Sequence, residues 1–357
     1  MEHWKVTTEE INQPGSHPDS LQLAELSIEI ENKFVVAANP QRDLHGPCVV
    51  RAANGDLLLC HQDSEQHLGG DGYVHQWRSR DQGMSWQDEG AIVDWRGRDM
   101  DALFGEYGAC PNGDLVVFIQ RRKPRSDDDG IRATWYALSS DQGRSWHELG
   151  PVSPDEYAFL SPRNVITHHR FMYVTAWSPQ GHALYVSVDN GKQWQRRSVI
   201  FPHHPQLFPE LKEMGPPFYP HIEVCPDGSL LAMTYYTPGR NVCYSRRSYD
   251  LGLSWSAIQE ETALPFWAPR LRRIGENLMI LTGRDYLRHS TVACFSTDSG
   301  HHWSTPIVLD TPVYKGSYAY TDAIAITPDR LWVFTSSPQS ENKGDIISIM
   351  LKLTKNI

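Results

Sequence analysis

The chain alternates short hydrophobic runs with tight polar turns along nearly its whole length. In residues 47–59, two apolar runs flank Asn54-Gly55, a dipeptide that strongly favours a two-residue β-hairpin turn. The same hairpin pattern returns at Asn112-Gly113, Asp227-Gly228 and Ile274-Gly275. In each unit a loop then leads to a third hydrophobic run, a turn and a fourth run. This pattern predicts an all-β protein built from four-stranded antiparallel units.

The turn between the third and fourth runs has a nearly fixed sequence of Ser, any residue, Asp, any residue, Gly, two of any residue and Trp. It occurs five times, at residues 79–86, 139–146, 187–194, 248–255 and 296–303. Asp can accept hydrogen bonds from nearby backbone N–H groups, Gly permits a positive φ, and Trp buries a large ring. A turn that recurs at intervals of about 50 to 60 residues indicates a repeat architecture. We therefore interpret Asp81, Asp298 and their equivalents as structural and not catalytic.

The two ends of the chain complement each other. The sixth unit, at residues 323–353, has three predicted strands and lacks the repeated turn, whereas residues 25–38 form an extra strand or hairpin. An N-terminal strand that joins the last unit would close a ring, which a β-sandwich or two separate β domains would not explain. We predict a six-bladed β-propeller of four-stranded antiparallel blades, with five of the repeated turns. Residues 1–23 are predicted to be an arm or cap, and residues 24–357 a single catalytic propeller domain.

Composition and charge narrow the classes of function. Hydrophobic residues make up 40% of the chain and charged residues 21%, which is typical of a globular protein with an ample core. The formal net charge of −10 removes any general electrostatic attraction to nucleic acid or anionic membranes. The N-terminus lacks a signal pattern, and no apolar run reaches the length of a spanning helix. We expect a cytoplasmic protein with neither a nucleic-acid nor a membrane partner, and the oligomeric state is left open.

The spacing of histidines and carboxylates does not resemble a set of metal ligands. The six cysteines stand singly, which favours reduced thiols in the core. The adjacent pairs His168-His169, His203-His204 and His301-His302 point to opposite sides of a strand. We therefore expect neither a metal nor another cofactor.

Residues at the start of each inner strand should line one mouth of a propeller. Counting ten residues back from the glycine of each inner hairpin, or from Arg330 in the sixth unit, gives His45, Leu103, Phe218, Pro265 and Tyr320. His45 and Tyr320 are the two that can do chemistry. The loops of the same face add the carboxylates Asp63 and Asp71 and the arginines Arg121, Arg240, Arg284 and Arg288. Clustered arginines would bind a carboxylate ligand in bidentate fashion.

The repeated turn, known as the Asp box, together with six blades resembles the sialidase (neuraminidase) superfamily, from about residue 25 to the end. The Asp box also occurs in other glycan-active enzymes and binding proteins. The resemblance implies a retaining glycoside hydrolase with a Tyr nucleophile, a Glu that activates it and an Asp acid/base. It also implies three arginines that bind the carboxylate of the substrate.

The family pattern carries over to individual positions of this chain. Ser317-Tyr318-Ala319-Tyr320-Thr321-Asp322 resembles the nucleophile segment and assigns that role to Tyr320. The acid/base is Asp63 or Asp71, and the glycine-rich loop around Asp71 favours it slightly. Arg240 and Arg288 match the second and third arginines, and Glu223 is the candidate for the activating carboxylate. Further substrate-binding candidates on the same face are Arg284, Arg121, Tyr219 and His221.

The start of blade one departs from the family pattern. Sialidases have Arg-Ile-Pro there, whereas this chain reads Leu44-His45-Gly46-Pro47, and Arg42 comes three residues too early. A His at this position could act as general base or acid. With Tyr219 and Tyr320 it would suit proton abstraction beside a uronate carboxylate, which is lyase chemistry. We expect a sialidase-like hydrolase for a terminal acidic sugar of a glycan, so the partner is a carbohydrate with a carboxylate. A lyase or hydrolase for uronate oligosaccharides and a non-catalytic glycan-binding propeller remain open.

Overall fold

The computed structural model describes eleven segments of the chain. They are residues 3–6, 26–67, 71–96, 100–122, 131–153, 160–202, 218–235, 242–285, 287–311, 319–340 and 343–355. All regular elements in these segments are β-strands. Since the described residues contain no helix, none of them forms a helix long and apolar enough to cross a membrane.

Twenty-five strands follow one another along the chain. In chain order they are β1 (His3–Val6), β2 (Leu26–Ala37), β3 (Asp43–Arg51), β4 (Leu57–Ser64), β5 (Tyr73–Ser79), β6 (Gln87–Val93), β7 (Asp101–Ala109), β8 (Leu115–Arg122), β9 (Ile131–Ser139), β10 (His147–Pro151), β11 (Leu160–His168), β12 (Phe171–Ser178), β13 (Gly181–Ser187), β14 (Gln195–Pro202), β15 (Phe218–Val224), β16 (Leu230–Tyr235), β17 (Cys243–Ser248), β18 (Gln259–Glu261), β19 (Trp267–Arg273), β20 (Met279–Asp285), β21 (Ser290–Ser296), β22 (Ile307–Asp310), β23 (Thr321–Thr327), β24 (Arg330–Ser340) and β25 (Lys343–Lys355). The strands coincide with the hydrophobic runs from which the sequence predicts an all-β chain.

These strands form five hydrogen-bonded sheets. Four sheets contain four consecutive antiparallel strands each, namely β7–β10, β11–β14, β15–β18 and β19–β22. The fifth sheet has nine strands, and a single parallel pair, Gly344 opposite Asp43, joins its two antiparallel groups. One group is β3–β6, and the other runs β23-β24-β25-β2-β1. The chain is therefore an all-β propeller of small antiparallel sheets. The sequence predicted that the first and last groups of strands form separate blades, whereas the pair of Gly344 with Asp43 joins them into one sheet.

The N-terminal strand completes the last group, as the sequence predicted. β2 pairs antiparallel with β25 from Leu26 opposite Lys355 to Ala37 opposite Ile346. β24 pairs with the other edge of β25. The first strands of the six groups, β3, β7, β11, β15, β19 and β23, contact one another in a closed ring, and they are called the inner strands below.

Hydrophobic side chains from both ends of the chain share one core cluster. Ile28 of β2 packs there with Leu351 of β25 and with Phe295 of the neighbouring sheet, each at most 1% exposed. The closure of the ring therefore depends on apolar burial as well as on backbone hydrogen bonds. All six cysteines are buried and none of them forms a disulfide bond, in agreement with reduced thiols in the core.

Shortening a core side chain where the two ends of the chain meet should destabilise the whole ring. We expect Leu351→Ala to lower the free energy of unfolding by about 2–5 kcal/mol, because a fully buried Leu leaves a cavity. Chemical denaturation followed by tryptophan fluorescence measures the change. Val35→Ala is the matched control, since Val35 lies on β2 but is 54% exposed, and surface truncations usually change stability by less than about 0.5 kcal/mol. Equal losses in the two variants would contradict this view of the closure.

The repeated turns share one hydrogen-bond pattern. In the first turn Ser79 Oγ donates to Asp81 Oδ1 at 2.8 Å and accepts from Gly83 N at 2.7 Å. Asp81 Oδ1 also accepts from Ser85 N at 2.9 Å. The Ser-to-Asp bond is 2.8 Å in the other four copies as well. These aspartates are thus held within their own turns, and antiparallel strand order places them at the opposite end of the sheets from the start of the inner strands.

Candidate functional site

Five inner strands are interrupted near their start by one residue with a positive φ. These residues are Gly46 (66°), Phe104 (44°), Asn164 (53°), Tyr219 (46°) and Ala268 (51°). The strand register shifts at the same places. Four of the five are not glycine, and such residues rarely adopt this conformation. Bulges of this kind re-aim side chains and are common beside active sites, so the start of the inner strands is the candidate site.

An ion-pair network cross-links the inner strands beside these bulges. Arg270 on β19 donates from Nε and Nη2 to the two carboxylate oxygens of Asp322 on β23, at 2.9 and 2.7 Å. Its Nη1 donates to both carboxylate oxygens of Glu106 on β7, each at 3.0 Å. Burial raises the pKa of Asp322, but the guanidinium groups of Arg270 and Arg272 outweigh burial and hold this pKa well below its usual range. Asp322 is therefore ionised at neutral pH, and the network ties three inner strands together.

A small pocket opens beside this network. The side chains that line it include Phe104, Glu106, Arg163, His221, Arg270 and Tyr320. These residues come from the four inner strands β7, β11, β15 and β19 and from the residue that precedes β23. The pocket therefore depends on the closed ring, because no single sheet supplies more than a small part of its wall.

Tyr320 directly precedes β23 and contributes to the wall of the pocket. The guanidinium carbons of Arg284 and Arg163 lie 4.8 and 6.0 Å from the centre of its ring. The rings of Phe104 and Tyr219 meet it edge-on, at centroid distances of 5.7 and 6.2 Å. Burial and the neighbouring Tyr219 raise the pKa of the Tyr320 phenol well above its ordinary value. The hydroxyl is protonated at neutral pH, so a reaction at this oxygen requires a base that removes its proton.

A carboxylate and two imidazoles meet beside Tyr320. Asp43 and His45 are two residues apart on β3, so both side chains point to the same side of the strand. Asp43 Oδ2 lies 3.1 Å from His45 Nδ1 and 3.6 Å from His67 Nδ1. The imidazole rings of His45 and His67 lie 6.2 and 6.4 Å from the ring of Tyr320. Burial and the neighbouring His45 lower the pKa of His67 to about 3, so this imidazole is neutral at pH 7.

These three side chains could hold a metal ion. All three are buried, and their candidate ligand atoms lie within 4.8 Å of one another. The expectation that the spacing of carboxylates and histidines contains no ligand set is therefore corrected. Asp43 and His45 come from one strand and His67 from the loop after β4, and the fold brings together positions that look unrelated in the sequence.

The two predicted blade-one carboxylates differ in exposure. Asp63 forms an ion pair with Arg42 and accepts a hydrogen bond from the Tyr73 hydroxyl at 2.9 Å. Burial raises the pKa of Asp63, but the nearby His75 imidazole and Arg42 guanidinium outweigh burial and lower this pKa to about 2. The side chain of Asp71 is 48% exposed and lies 3.4 Å from Arg42 Nη1. Asp63 is thus fixed in its ionised form, whereas Asp71 is more accessible to a proton donor or a ligand.

The predicted activating carboxylate, Glu223 on β15, is held by backbone groups. It accepts hydrogen bonds from the N–H groups of Val224 and Arg273, at 2.9 and 3.2 Å. Burial raises the pKa of Glu223. Among the described residues, the carboxylate that lines the pocket is instead Glu106, which counting back from the hairpin glycines does not reach. Its signal in the sequence is a charged residue inside the otherwise uncharged stretch 102–109.

Two of the predicted arginines, Arg121 and Arg288, make contacts with residues other than Tyr320. Arg288 forms an ion pair with Asp285 at 2.7 Å, and its side chain is 48% exposed. Arg121 stacks over the ring of Trp135 at 5.1 Å. Arg240 lies outside the described residues. Of the three predicted arginines that lie in described segments, Arg284 is the one beside Tyr320.

Arg163 on β11 is a further cation of the pocket that sequence reasoning missed. Its guanidinium carbon stacks over Tyr219 at 4.3 Å and Phe104 at 4.8 Å. The predicted residues Tyr219 and His221 both belong to the site, since Tyr219 also contacts Tyr320 and His221 lines the pocket. The third unit has no hairpin glycine from which to count. His169 takes the positive φ of that turn, at 54°, but ten residues back from it is position 159, so the fixed count would not have reached Arg163.

Comparisons with solved structures establish the fold. No protein-family model and no curated protein matches the chain. A solved protein of unknown function from Dyadobacter fermentans superposes with a TM-score of 0.74 and 16% identity, over 92% of this chain and 99% of the other. The Penicillium chrysogenum α-L-arabinanase complexed with arabinobiose gives a TM-score of 0.66 and 16% identity, over 90% and 98%.

A sialidase also belongs to the structures that this chain resembles. The Trypanosoma rangeli sialidase in complex with the inhibitor DANA gives a TM-score of 0.60 and 12% identity, over 87% of this chain and 55% of the other. Several glycoside hydrolases with different substrates in their names therefore share this backbone. At such low identity the likeness establishes a β-propeller fold of the kind that sialidases and arabinanases use.

Proposed function

We propose that residues 24–357 form one six-bladed Asp-box propeller that cleaves a glycosidic bond at an acidic sugar, as a sialidase-like glycoside hydrolase. The blade count follows from dividing the nine-stranded sheet at its single parallel pair. The five turns with a shared Ser-to-Asp hydrogen bond support the Asp-box assignment. Known glycoside hydrolases with this backbone support a carbohydrate as the substrate class.

One observation carries the proposal, namely a partly buried phenol at the pocket with two guanidinium groups beside its ring. Tyr320 has Arg284 and Arg163 within 6.0 Å of its ring centre, in a pocket at the start of the inner strands. A planar guanidinium matches a carboxylate with two parallel hydrogen bonds. A neutral phenol is a suitable nucleophile for an anionic sugar, since it brings no charge that would repel the substrate. This arrangement favours a substrate with a carboxylate next to the reacting carbon.

The residues of the pocket suggest a division of roles. The oxygen of Tyr320 would attack the anomeric carbon while Glu106, which lines the same pocket, accepts the phenol proton. Asp71 would donate a proton to the departing sugar oxygen, because it is the more exposed of the two blade-one carboxylates. Water that gives a proton to Asp71 would then attack the anomeric carbon, and Glu106 would return its proton to the departing Tyr320 oxygen, which restores the free phenol.

Arg284 is expected to contribute mainly to substrate binding. We expect Arg284→Gln to raise KM for an anionic substrate by roughly 10- to 100-fold, because a hydrogen bond to a charged group contributes about 1.5–3 kcal/mol. The half-exposed Arg288 is the matched control, and Arg288→Gln should leave KM nearly unchanged. Steady-state kinetics of both variants measures the difference. A larger effect of Arg288→Gln than of Arg284→Gln would contradict the assignment.

A lyase is the second candidate, and the contact between Asp43 and His45 favours it. A carboxylate 3.1 Å from an imidazole can orient that imidazole as a general base. The base would remove the proton next to a uronate carboxylate, and the sugar oxygen on the neighbouring carbon would leave. The product then carries a carbon–carbon double bond, and no water is consumed.

A panel of substrates separates these possibilities. The purified chain is incubated with aryl sialosides, aryl uronides and uronate oligosaccharides, and both fluorescent release and ultraviolet absorbance are recorded. Release of the aryl group supports the hydrolase, whereas a new ultraviolet absorbance supports the lyase. Binding of these sugars without any turnover would contradict both and indicate a glycan-binding propeller.

A further inference from the structure

We infer that Asp43, His45 and His67 form a binding site for one divalent transition-metal ion of the Zn²⁺ type. The inference concerns metal binding and does not depend on the proposed reaction. The Nδ1 atoms of both imidazoles lie close to the same carboxylate oxygen. The Oδ2 atom of Asp43 lies 3.1 Å from the first nitrogen and 3.6 Å from the second.

Both distances between Asp43 and the imidazoles fit a tetrahedral centre. Zinc binds imidazole nitrogen and carboxylate oxygen at about 2.0–2.2 Å, which places the ligand atoms of a tetrahedral site roughly 3.4 Å apart. The observed contacts of 3.1 and 3.6 Å lie on either side of that value. Two nitrogens and one oxygen also suit zinc and its neighbours better than Mg²⁺ or Ca²⁺, which prefer oxygen ligands throughout.

The charge and burial of the cluster favour a cation. Asp43 is 6% exposed, His45 1% and His67 7%. A buried carboxylate is costly unless positive charge or hydrogen-bond donors surround it. Within the part of the chain that the structure describes, the basic groups within ion-pair distance of Asp43 are these two imidazoles. A divalent ion at their common point would supply the charge directly.

Rigid elements hold the three side chains in place. Asp43 and His45 lie on β3, where they pair with Ser64 and Gln62 of β4. The Gln62 side chain donates from Nε2 to the backbone oxygen of His67 at 2.8 Å and to Ser64 Oγ at 2.8 Å. The loop that carries His67 is thus fixed to the same hairpin as the other two ligands. A site built on strands and supported by buried hydrogen bonds keeps the precise geometry that metal binding requires.

Three protein ligands leave at least one coordination position for water or another ligand. Structural zinc sites are usually closed by four protein ligands, so this set corresponds to the open type. The cluster also adjoins the ring of Tyr320. A bound ion would occupy the Nδ1 lone pair of His45, so this nitrogen could not accept a proton. Of His45 and Tyr320, Tyr320 would then be the better candidate for proton transfer.

Metal titration of the full chain tests the inference. The protein is treated with a chelator, dialysed and titrated with Zn²⁺ in competition with a chromophoric chelator. We expect one tight site per chain and a rise in the thermal unfolding midpoint on zinc binding. Asp43→Asn and His67→Gln should each lower the zinc affinity by more than about 100-fold, which exceeds the usual effect of losing an outer hydrogen-bond partner.

His301→Gln is the matched control. His301 is half-exposed and lies on a repeated turn, and its replacement should leave the zinc affinity unchanged. X-ray absorption at the zinc edge of the wild-type protein should show two imidazoles and no sulfur, which decides the question even if a variant does not fold. The absence of a tight site in the wild-type chain, sulfur ligation by one of the cysteines, or unchanged affinity in the folded Asp43 and His67 variants would each overturn the inference.

Discussion

Replacing Tyr320 with Phe is expected to lower kcat by at least about 10³-fold, because the variant lacks the oxygen that reacts. The change removes a single hydroxyl and keeps the ring that packs against Phe104, Tyr219 and the two arginines. The fold should therefore survive, and the thermal unfolding midpoint should shift little. Steady-state kinetics on the substrate identified by the panel measures the loss.

Tyr249→Phe is the matched control for this prediction. Tyr249 is 74% exposed, so the loss of its hydroxyl should change neither turnover nor stability. A Tyr320→Phe variant that folds normally and retains more than about a tenth of the wild-type kcat would contradict a reacting role for the phenol. Its hydroxyl would then serve binding or packing alone.

The second large effect is expected from Arg270→Met, which should lower the free energy of unfolding by about 3–5 kcal/mol. Methionine fills a similar volume but leaves Glu106 buried without the guanidinium that contacts both of its oxygens. Breaking a buried ion pair from one side costs this much because the remaining charge is uncompensated. Denaturant-induced unfolding measures the loss.

Two further variants test the physical cause. Arg330→Met removes an ion pair with Glu31 in which both side chains are partly exposed, and solvent screening leaves such pairs with little effect on stability. Adding Glu106→Gln to Arg270→Met should recover part of the lost stability, because a neutral amide needs no counter-charge. Stability losses of equal size in the Arg270 and Arg330 variants would show that the network is not what holds the inner strands. So would a double variant whose loss of stability exceeds the sum of the losses in the two single variants.

Local patterns in the sequence accounted for the architecture. The repeated turn from Ser79 to Trp86 works through contacts within a few residues of the chain, so its sequence alone predicts its structure. The surplus strand at residues 26–37 and the incomplete unit at the other end predicted their pairing, because an unpaired strand edge is costly in either place. Tyr320 was located by a fixed count within a repeat, and it does lie at the pocket.

The contents of the pocket depended on the closed ring. Glu106, Arg270 and Asp322 lie on three different inner strands, and nothing in the sequence near each of them specifies the other two. A bulge turns the start of most inner strands, so a fixed count gives the neighbourhood of a side chain but not its direction. Asp43, His45 and His67 meet for the same reason, since their convergence comes from strand pairing and from a loop fixed by Gln62. Short-range hydrogen bonds and the alternation of hydrophobic and polar residues made the strands and turns predictable. The distances between the charged groups are set only by the closed ring.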